Sequence, residues 1–304
     1  MRIAFNVDLH GSPDEPSSAP TWDRVKEQVL AAEAVGFDAA FVPDHLLYQS
    51  EARDDASVGA WESVSFAAAL AASTSSVEIG HSMFNTPYRS PALVAKIAES
   101  LDEISGGRYI LGLGAGNTPD YRAFGFVSDH RYSRFAEAVE IIHGLLKGGA
   151  VDFEGRYHSA RDAELVLRGP RAQGPPIVIA AWGPKMMRLA ARFADEWNGW
   201  SEAAPTVETF RPMVEQLERA CEEVDREPRT LRRSLDISVD PSGSPAADAG
   251  DGILTGTSDE VAEHLLDLQA IGIGEVRCYL RPATGTMLER IEAAADIISR
   301  VHAG

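Results

Sequence analysis

The apolar positions of this chain switch between two periods in a regular alternation. Runs that are continuously apolar, or apolar at every second residue, occur at 2–9, 37–44, 77–84, 108–116, 175–182, 196–200, 231–240 and 275–282. These predict strands. Between them, apolar residues recur at helical spacing. Trp22, Val25, Val29 and Ala32 share one face of a helix predicted over 21–36. Phe135, Val139, Ile142 and Leu146 do so over 131–147, and Phe210, Met213, Leu217 and Cys221 over 206–224. Further helices are predicted over 60–74, 90–105, 183–194 and 287–302, and one from 257. The punctuation agrees with the periods. Ser90-Pro91 places an N-cap before a proline at the first helical position, Thr257-Ser258-Asp259-Glu260 has capping-box form, and Gly36 and Gly106-Gly107 stop helices.

Eight strands thus alternate with eight helices. That order predicts parallel strands joined by right-handed crossovers. Eight units over 304 residues fit a (β/α)8 TIM barrel forming one domain over 1–304. An open doubly wound sheet is the alternative, but nothing in the chain marks a boundary between two halves. Two segments interrupt the alternation. Residues 148–174 carry short alternating pieces around 151–157 and 163–167 and read as an insertion after the fourth helix, holding a hairpin. Residues 241–256 are rich in Gly, Ala, Asp and Ser and read as a loop.

Composition narrows the partners. The chain has 46 acidic against 28 basic residues, a formal charge of −18. A field of that sign repels nucleic acid and anionic membrane. The first residues are a strand pattern broken by charge, not a signal peptide, and the longest apolar stretch, at 66–72, is too short to span a bilayer. A soluble, cytoplasmic protein is expected. Cys221 and Cys278 follow no metal or redox spacing and read as small buried hydrophobes.

The candidate chemistry collects at the predicted C-terminal strand ends, where barrel enzymes bind their ligands. The fourth strand runs into Gly112-Leu113-Gly114-Ala115-Gly116. A dinucleotide fingerprint needs G-x-G-x-x-G opening a helix. Here the spacing is G-x-G-x-G, and Pro119 turns Thr118 away from the helical region. Gly112 suits close strand packing, while Gly114 and Gly116 suggest backbone left bare for a flat ligand. Other strand ends give Asp8 and His10, Asp44 and His45, His81, Ser82 and Asn85, then Ala181, Trp182 and Gly183, and finally Trp200, Asp240 and Arg281. Asp44-His45 is the strongest pair, since imidazole moves protons near neutral pH. His81 reads equally well as core, and His10 as a loop histidine. A metallohydrolase would want H-x-H on the first strand, where the chain has Asp8-Leu9-His10. Gly183-Pro184 opens a helix whose free N–H groups, with Lys185, suit an anion such as phosphate. Arg188 and Arg192 suit the outer part of that helix.

These residues resemble a family, the bacterial luciferase-like oxidoreductases, which are barrel enzymes using flavin or the deazaflavin coenzyme F420. The resemblance rests on "AAEAVGFDAAFVPDHL", "SVEIGHSMFNTPYRSPALVAKIAESLDEISGGRYILGLGAG", "RYSRFAEAVEIIHGLL", "PPIVIAAWGPKMMRLAARFADEWNGW" and "GTSDEVAEHLLDLQAIGIGEV", in that order. It implies that Asp44 and His45 lie beside the deazaflavin and that His45 handles protons. It implies a non-proline cis peptide at Ser82–Met83 behind the ring, with Asn85 close by. Cofactor contacts would come from Ala115, Gly116 and Asn117, and from Ala181, Trp182, Gly183, Lys185 and Met186 around the phosphate. Sugar-phosphate dehydrogenases of the family carry a catalytic Glu after the glycine loop, and this chain has Asn117, which lacks a carboxyl group's proton chemistry. The expected function is therefore F420-dependent hydride transfer to or from a small apolar or aromatic substrate. In that expectation Asp44 orients His45, and Trp182, Trp200 and the 148–174 insertion wall the substrate side. The alternatives are an FMN-dependent monooxygenase using oxygen, and a barrel that binds flavin without catalysis. The resemblance also implies a homodimer, and a separate flavin or F420 reductase as partner.

Overall fold

The computed structural model describes residues 1–10, 20–49, 57–116, 121, 123–243, 252–281 and 285–304. Eight parallel strands make the barrel: β1 (Arg2–Asn6), β2 (Ala39–Val42), β3 (Glu78–His81), β4 (Tyr109–Gly114), β5 (Ile177–Ala180), β6 (Glu196–Trp200), β7 (Arg232–Val239) and β8 (Glu275–Leu280). Their order in the sheet is β5-β6-β7-β8-β1-β2-β3-β4, and β4 returns to β5. The chain is therefore a closed (β/α)8 barrel. The connecting helices are α1 (Trp22–Val35), α2 (Ser63–Ser73), α3 (Pro91–Ser105), α4 (Arg131–Gly148), α5 (Gly183–Phe193), α6 (Val207–Glu222), α7 (Ser258–Ala270) and α8 (Met287–Ala303).

The local signals operate as the sequence reading expects. Ser90 Oγ accepts the Leu93 N–H at the start of α3, and Gly106 closes that helix at φ 67°. Thr257 and Glu260 cap each other's backbone at α7, and Thr286 and Glu289 repeat that box at α8. Cys221 and Cys278 are buried, and burial pushes the Cys278 thiol up to about 12. Among the described residues, no helix is long and apolar enough to cross a membrane.

Contacts divide the chain into two compact units. One comprises Met1–Val7, Glu27–Phe41 and Val178–Gly304, and the other comprises Asp8–Lys26 and Val42–Ile177. The core of the first unit holds a buried cation. Arg277 is fully buried, with its guanidinium 3.8 Å from the centre of the Phe41 ring. It donates to Glu275 at 2.9 Å and Glu196 at 2.5 Å. Burial works against its charge, and Glu275, Glu196 and Asp236 more than offset that cost.

The cis peptide expected between Ser82 and Met83 is present and interrupts the third strand, after which Phe84–Asn85 pairs with Leu113 and Gly114 of β4. Two features depart from the expected pattern. A short hairpin, Leu47–Gln49 with Ser57–Gly59, follows β2. Ile253–Leu254, in the predicted loop, lies parallel to the end of β7. Pieces of two or three residues are too short to show a period.

The 148–174 insertion does carry a hairpin, Ala150–Glu154 with Ser159–Glu164. Its two parts are held by different contacts. Glu137 of α4 accepts the N–H groups of Arg156, Tyr157 and His158 at the hairpin turn, at 2.8–3.0 Å. Farther along, Arg168 pairs with Glu99 at 3.0 Å, while Arg171 binds Asp102 and the carbonyl of Tyr109. Tyr109 begins β4, so this part of the insertion sits at the N-terminal end of the strand, away from the mouth. Two buried carboxylates on α3 draw the arginines there.

Candidate active site

Strand β2 ends at Val42, and the chain turns through Pro43 and Asp44. Asp44 is 1% exposed. A buried carboxylate is tolerated only when its lone pairs are taken up. Oδ1 accepts Ser63 Oγ–H at 2.6 Å and Arg89 Nη2–H at 3.2 Å. Oδ2 accepts the Asn85 N–H at 2.8 Å and Arg89 Nη1–H at 2.7 Å. The Asn85 side chain donates in return to the Asp44 carbonyl. Arg89 also reaches Glu62 at 2.7 Å and lies 4.3 Å over the Phe84 ring. Burial opposes the Arg89 charge, but the hydrogen bonds and charges of Asp44 and Glu62 hold it above the ordinary value.

The hydrogen bonds of the Asp44 carboxylate give it a structural task besides the expected one beside His45. The four hydrogen bonds of the carboxylate come from Ser63, Asn85 and Arg89. Asp44 ties the Phe84–Asn85 segment to the end of β2, and so fixes the strand beyond the Ser82–Met83 peptide. His45 is half-buried, and its ring neighbour is His10, at 5.5 Å between centroids and 52° between planes. His10 is in turn held by Asp8, whose Oδ1 lies 3.1 Å from Nδ1 and accepts the His10 N–H at 2.9 Å. Asp8 and His10 thus form an acid–imidazole pair, with His45 beside it. His10, set aside as a loop residue in the sequence, belongs to this group.

His81 is fully buried, with Nδ1 2.7 Å from Tyr109 Oη and its ring edge-on to Phe84 at 5.0 Å. Burial lowers it to about 4, only partly countered by the Asp44 charge, so it is neutral at physiological pH. It is a core residue.

The glycines of β4 have a structural use that the sequence reading assigned only to Gly112. A Cβ on Gly112 would strike the His81 carbonyl and lie 2.8 Å from Met83 Sδ. One on Gly114 would lie 3.0 Å from Met83 Cβ. Gly116 has φ 82°, and a Cβ there would occupy the place of Tyr121 Oη and lie 3.2 Å from Asn85 Oδ1. Tyr121 Oη donates to the Ala115 carbonyl at 3.0 Å. Gly114 and Gly116 thus admit the protein's own side chains. Met83, Asn85, Ala115 and Gly116 are brought together in this way, and Asn117 lies outside the described residues.

The other predicted group is in the first unit. Ala181 is buried, and its carbonyl accepts Trp197 Nε1–H at 3.0 Å. Trp182 precedes α5 and offers no side-chain cap. Gly183 has φ 73°, with open space around its missing Cβ. The side chain of Trp182 makes no capping hydrogen bond, and a helix start of this kind has the chemistry of an anion site. Lys185 is exposed beside them. Arg188 pairs with Glu223 at 3.0 Å and Arg192 lies over Phe193, so both serve the outer helix. Trp182 donates to the Trp200 carbonyl at 3.0 Å, and the two indoles remain 46% and 43% exposed. Exposed indoles at strand ends suit a ring-bearing ligand, and an uncapped helix start suits its phosphate, so these residues fit a flavin-type cofactor.

Known proteins extend this picture. The chain is 35% identical over 167 residues to a 5,10-methylenetetrahydromethanopterin reductase of Archaeoglobus fulgidus, covering 55% of this chain and 46% of that one. It is 34% identical over 206 residues to an F420-dependent glucose-6-phosphate dehydrogenase of Nakamurella multipartita, covering 64% and 59%. The chain thus matches about half the length of these relatives. A solved F420-dependent secondary alcohol dehydrogenase, in complex with an F420-acetone adduct, superposes with a TM-score of 0.80 over 99% of this chain and 98% of that one, at 19% identity, which shows the fold. Residues 1–247 match the luciferase-like monooxygenase family, and the chain belongs to that family.

Proposed function

We propose that the chain is an F420-dependent oxidoreductase acting on a small apolar or aromatic organic substrate. The observation that carries this reading is the imidazole pair His10–His45 at the ends of the first two strands, at 5.5 Å. A family relative named as F420-dependent supports the cofactor. Bound there, the deazaflavin supplies hydride transfer. The protein's part is to place the reactants and manage one proton. His45 takes or gives that proton, and Asp8 fixes the His10 ring that flanks it. Asp44 and Arg89 hold the Asn85 segment in place. In the first unit, the α5 N-terminus suits a phosphate, and Trp182 and Trp200 present exposed indoles. Asn117 argues against sugar-phosphate oxidation.

A second reading, reduced FMN with oxygen, is favoured by the family's description as monooxygenases. Titrating the purified chain with F420 and with reduced FMN separates the two. Saturable F420 binding is expected, and binding of reduced FMN with no affinity for F420 rejects the first reading.

A further inference from the structure

A cleft of about 320 Å³ lies in the first unit, lined by Arg2, Glu196, Arg229, Leu231, Arg232, Arg233, Gly272, Gly274 and Glu275. Its placement follows from strand register. Arg2, Glu196, Arg232 and Glu275 are the first residues of β1, β6, β7 and β8, four neighbours in the sheet. Arg2 aligns with Glu275, and Glu196 with Arg232. The cleft is therefore at the N-terminal end of the strands, opposite the mouth, and β7 alone spans about 25 Å between the two ends.

A chain with a formal charge of −18 places four arginines around this one cleft. The two lining carboxylates do not consume that charge. Glu275 is held by Arg2 and Arg277, each at 2.9 Å. Glu196 accepts from the fully buried Arg277 at 2.5 Å and lies 3.6 Å from Arg232. Burial, followed by the charge of Glu275, raises the pKa of Glu196. The guanidinium of Arg229 has no partner among the described residues. Arg233 is 8% exposed, and one arm of its fork donates to Glu218 at 2.9 Å. Its Nε is buried with no hydrogen-bond partner among the described residues. A buried guanidinium N–H without an acceptor is costly, and Arg233 is one of the residues that line the cleft. Bare backbone at Gly272 admits the guanidinium, because a Cβ there would lie 2.6 Å from Arg233 Nη1.

We propose that this cleft is a second binding site, and that it takes a multiply charged phosphate-type oxyanion. Planar guanidinium forks match such oxygens bidentately, and Arg229, Arg232 and Arg233 have donors to spare. The site is separate from the α5 turn and does not depend on which cofactor the mouth takes.

Calorimetric titration of the full chain with inorganic pyrophosphate, at constant ionic strength and without cofactor, tests it. Arg229 and Arg232 are exposed, so their removal leaves the core intact. Saturable binding is expected for the native chain, with a dissociation constant at least tenfold weaker in Arg229→Ala/Arg232→Ala. That binding should be retained in Lys185→Ala, which reports on the α5 turn instead. Should the double variant misfold, Arg229→Gln is read in its place, with a weakening of at least threefold. Absence of binding by the native chain overturns the proposal. So does unchanged affinity in the arginine variants, or loss of the only binding event in Lys185→Ala.

Discussion

The guanidinium of Arg89 grips both carboxylate oxygens of Asp44, at 2.7 and 3.2 Å, and Asp44 passes that grip to Asn85 through the Asn85 N–H. Removing the cation from one side leaves a buried carboxylate short of two donors. Arg89→Met is expected to cost about 3 kcal/mol, the lower part of the range for breaking a buried pair, because Arg89 retains 12% exposure. Urea unfolding measures the loss, and Arg89→Lys should recover part of it. A change below about 0.5 kcal/mol contradicts the role assigned to Arg89.

Glycines in this fold separate into two kinds. Gly112→Ala drives a Cβ into the His81 carbonyl, and backbone cannot step aside as a side chain can. The expected cost is about 3 kcal/mol or more. Gly183→Ala meets open space and suffers only from its positive φ of 73°, at about 1 kcal/mol. Thermal unfolding of the two variants should therefore differ clearly, and equal melting temperatures argue against the close approach at Gly112.

His81 gives stability a pH dependence of known sign. Its folded value is about 4 against an ordinary 6.5, so the unfolded chain binds the proton first as pH falls. The contribution is complete above 6.5, declines as pH drops through that range, and is lost below about 4. The gap corresponds to roughly 3 kcal/mol. His81→Gln should flatten the stability profile between these limits relative to the native chain, and a parallel profile counts against this assignment.

The imidazole pair predicts a graded loss of activity. His45→Ala should lower turnover roughly 100- to 10,000-fold with cofactor binding retained. His10→Ala acts through its neighbour and should cost less while shifting the pH profile. Steady-state kinetics across pH distinguish the two, and full turnover in His45→Ala removes the proton role.

Much of the barrel was legible because each unit buries its own apolar face at its own period. The stripe Phe135, Val139, Ile142 and Leu146 is buried along α4 as its spacing requires, and Ser90-Pro91 opens α3 where the chain says it should. The strand ends were legible for the same reason, since parallel strands of a closed barrel share one polarity. The pairing of side chains at those ends was not. Asp44 and His45 are adjacent in the chain, yet the carboxylate is held by Ser63, Asn85 and Arg89 while the imidazole meets His10. Arg89 carries no signal of its own, being one arginine before a helix cap. The anchoring of the insertion was hidden for a similar reason. Its hairpin is local and readable, but Arg168 and Arg171 choose their carboxylates across about 70 residues.

Local spacing along the chain sets the alternation of elements, their caps and the glycine-bearing strand, because each depends on neighbours a few residues apart, and composition alone sets the acidic character. Only the folded chain shows that Asp44 ties Asn85 and Arg89 together and that Asp8 pairs with His10. It also decided that Gly114 and Gly116 make room for Met83 and Tyr121, and that four arginines gather at the far end of the barrel. Those outcomes rest on burial and on contacts between distant segments, where the cost of an unpaired charge selects the partner.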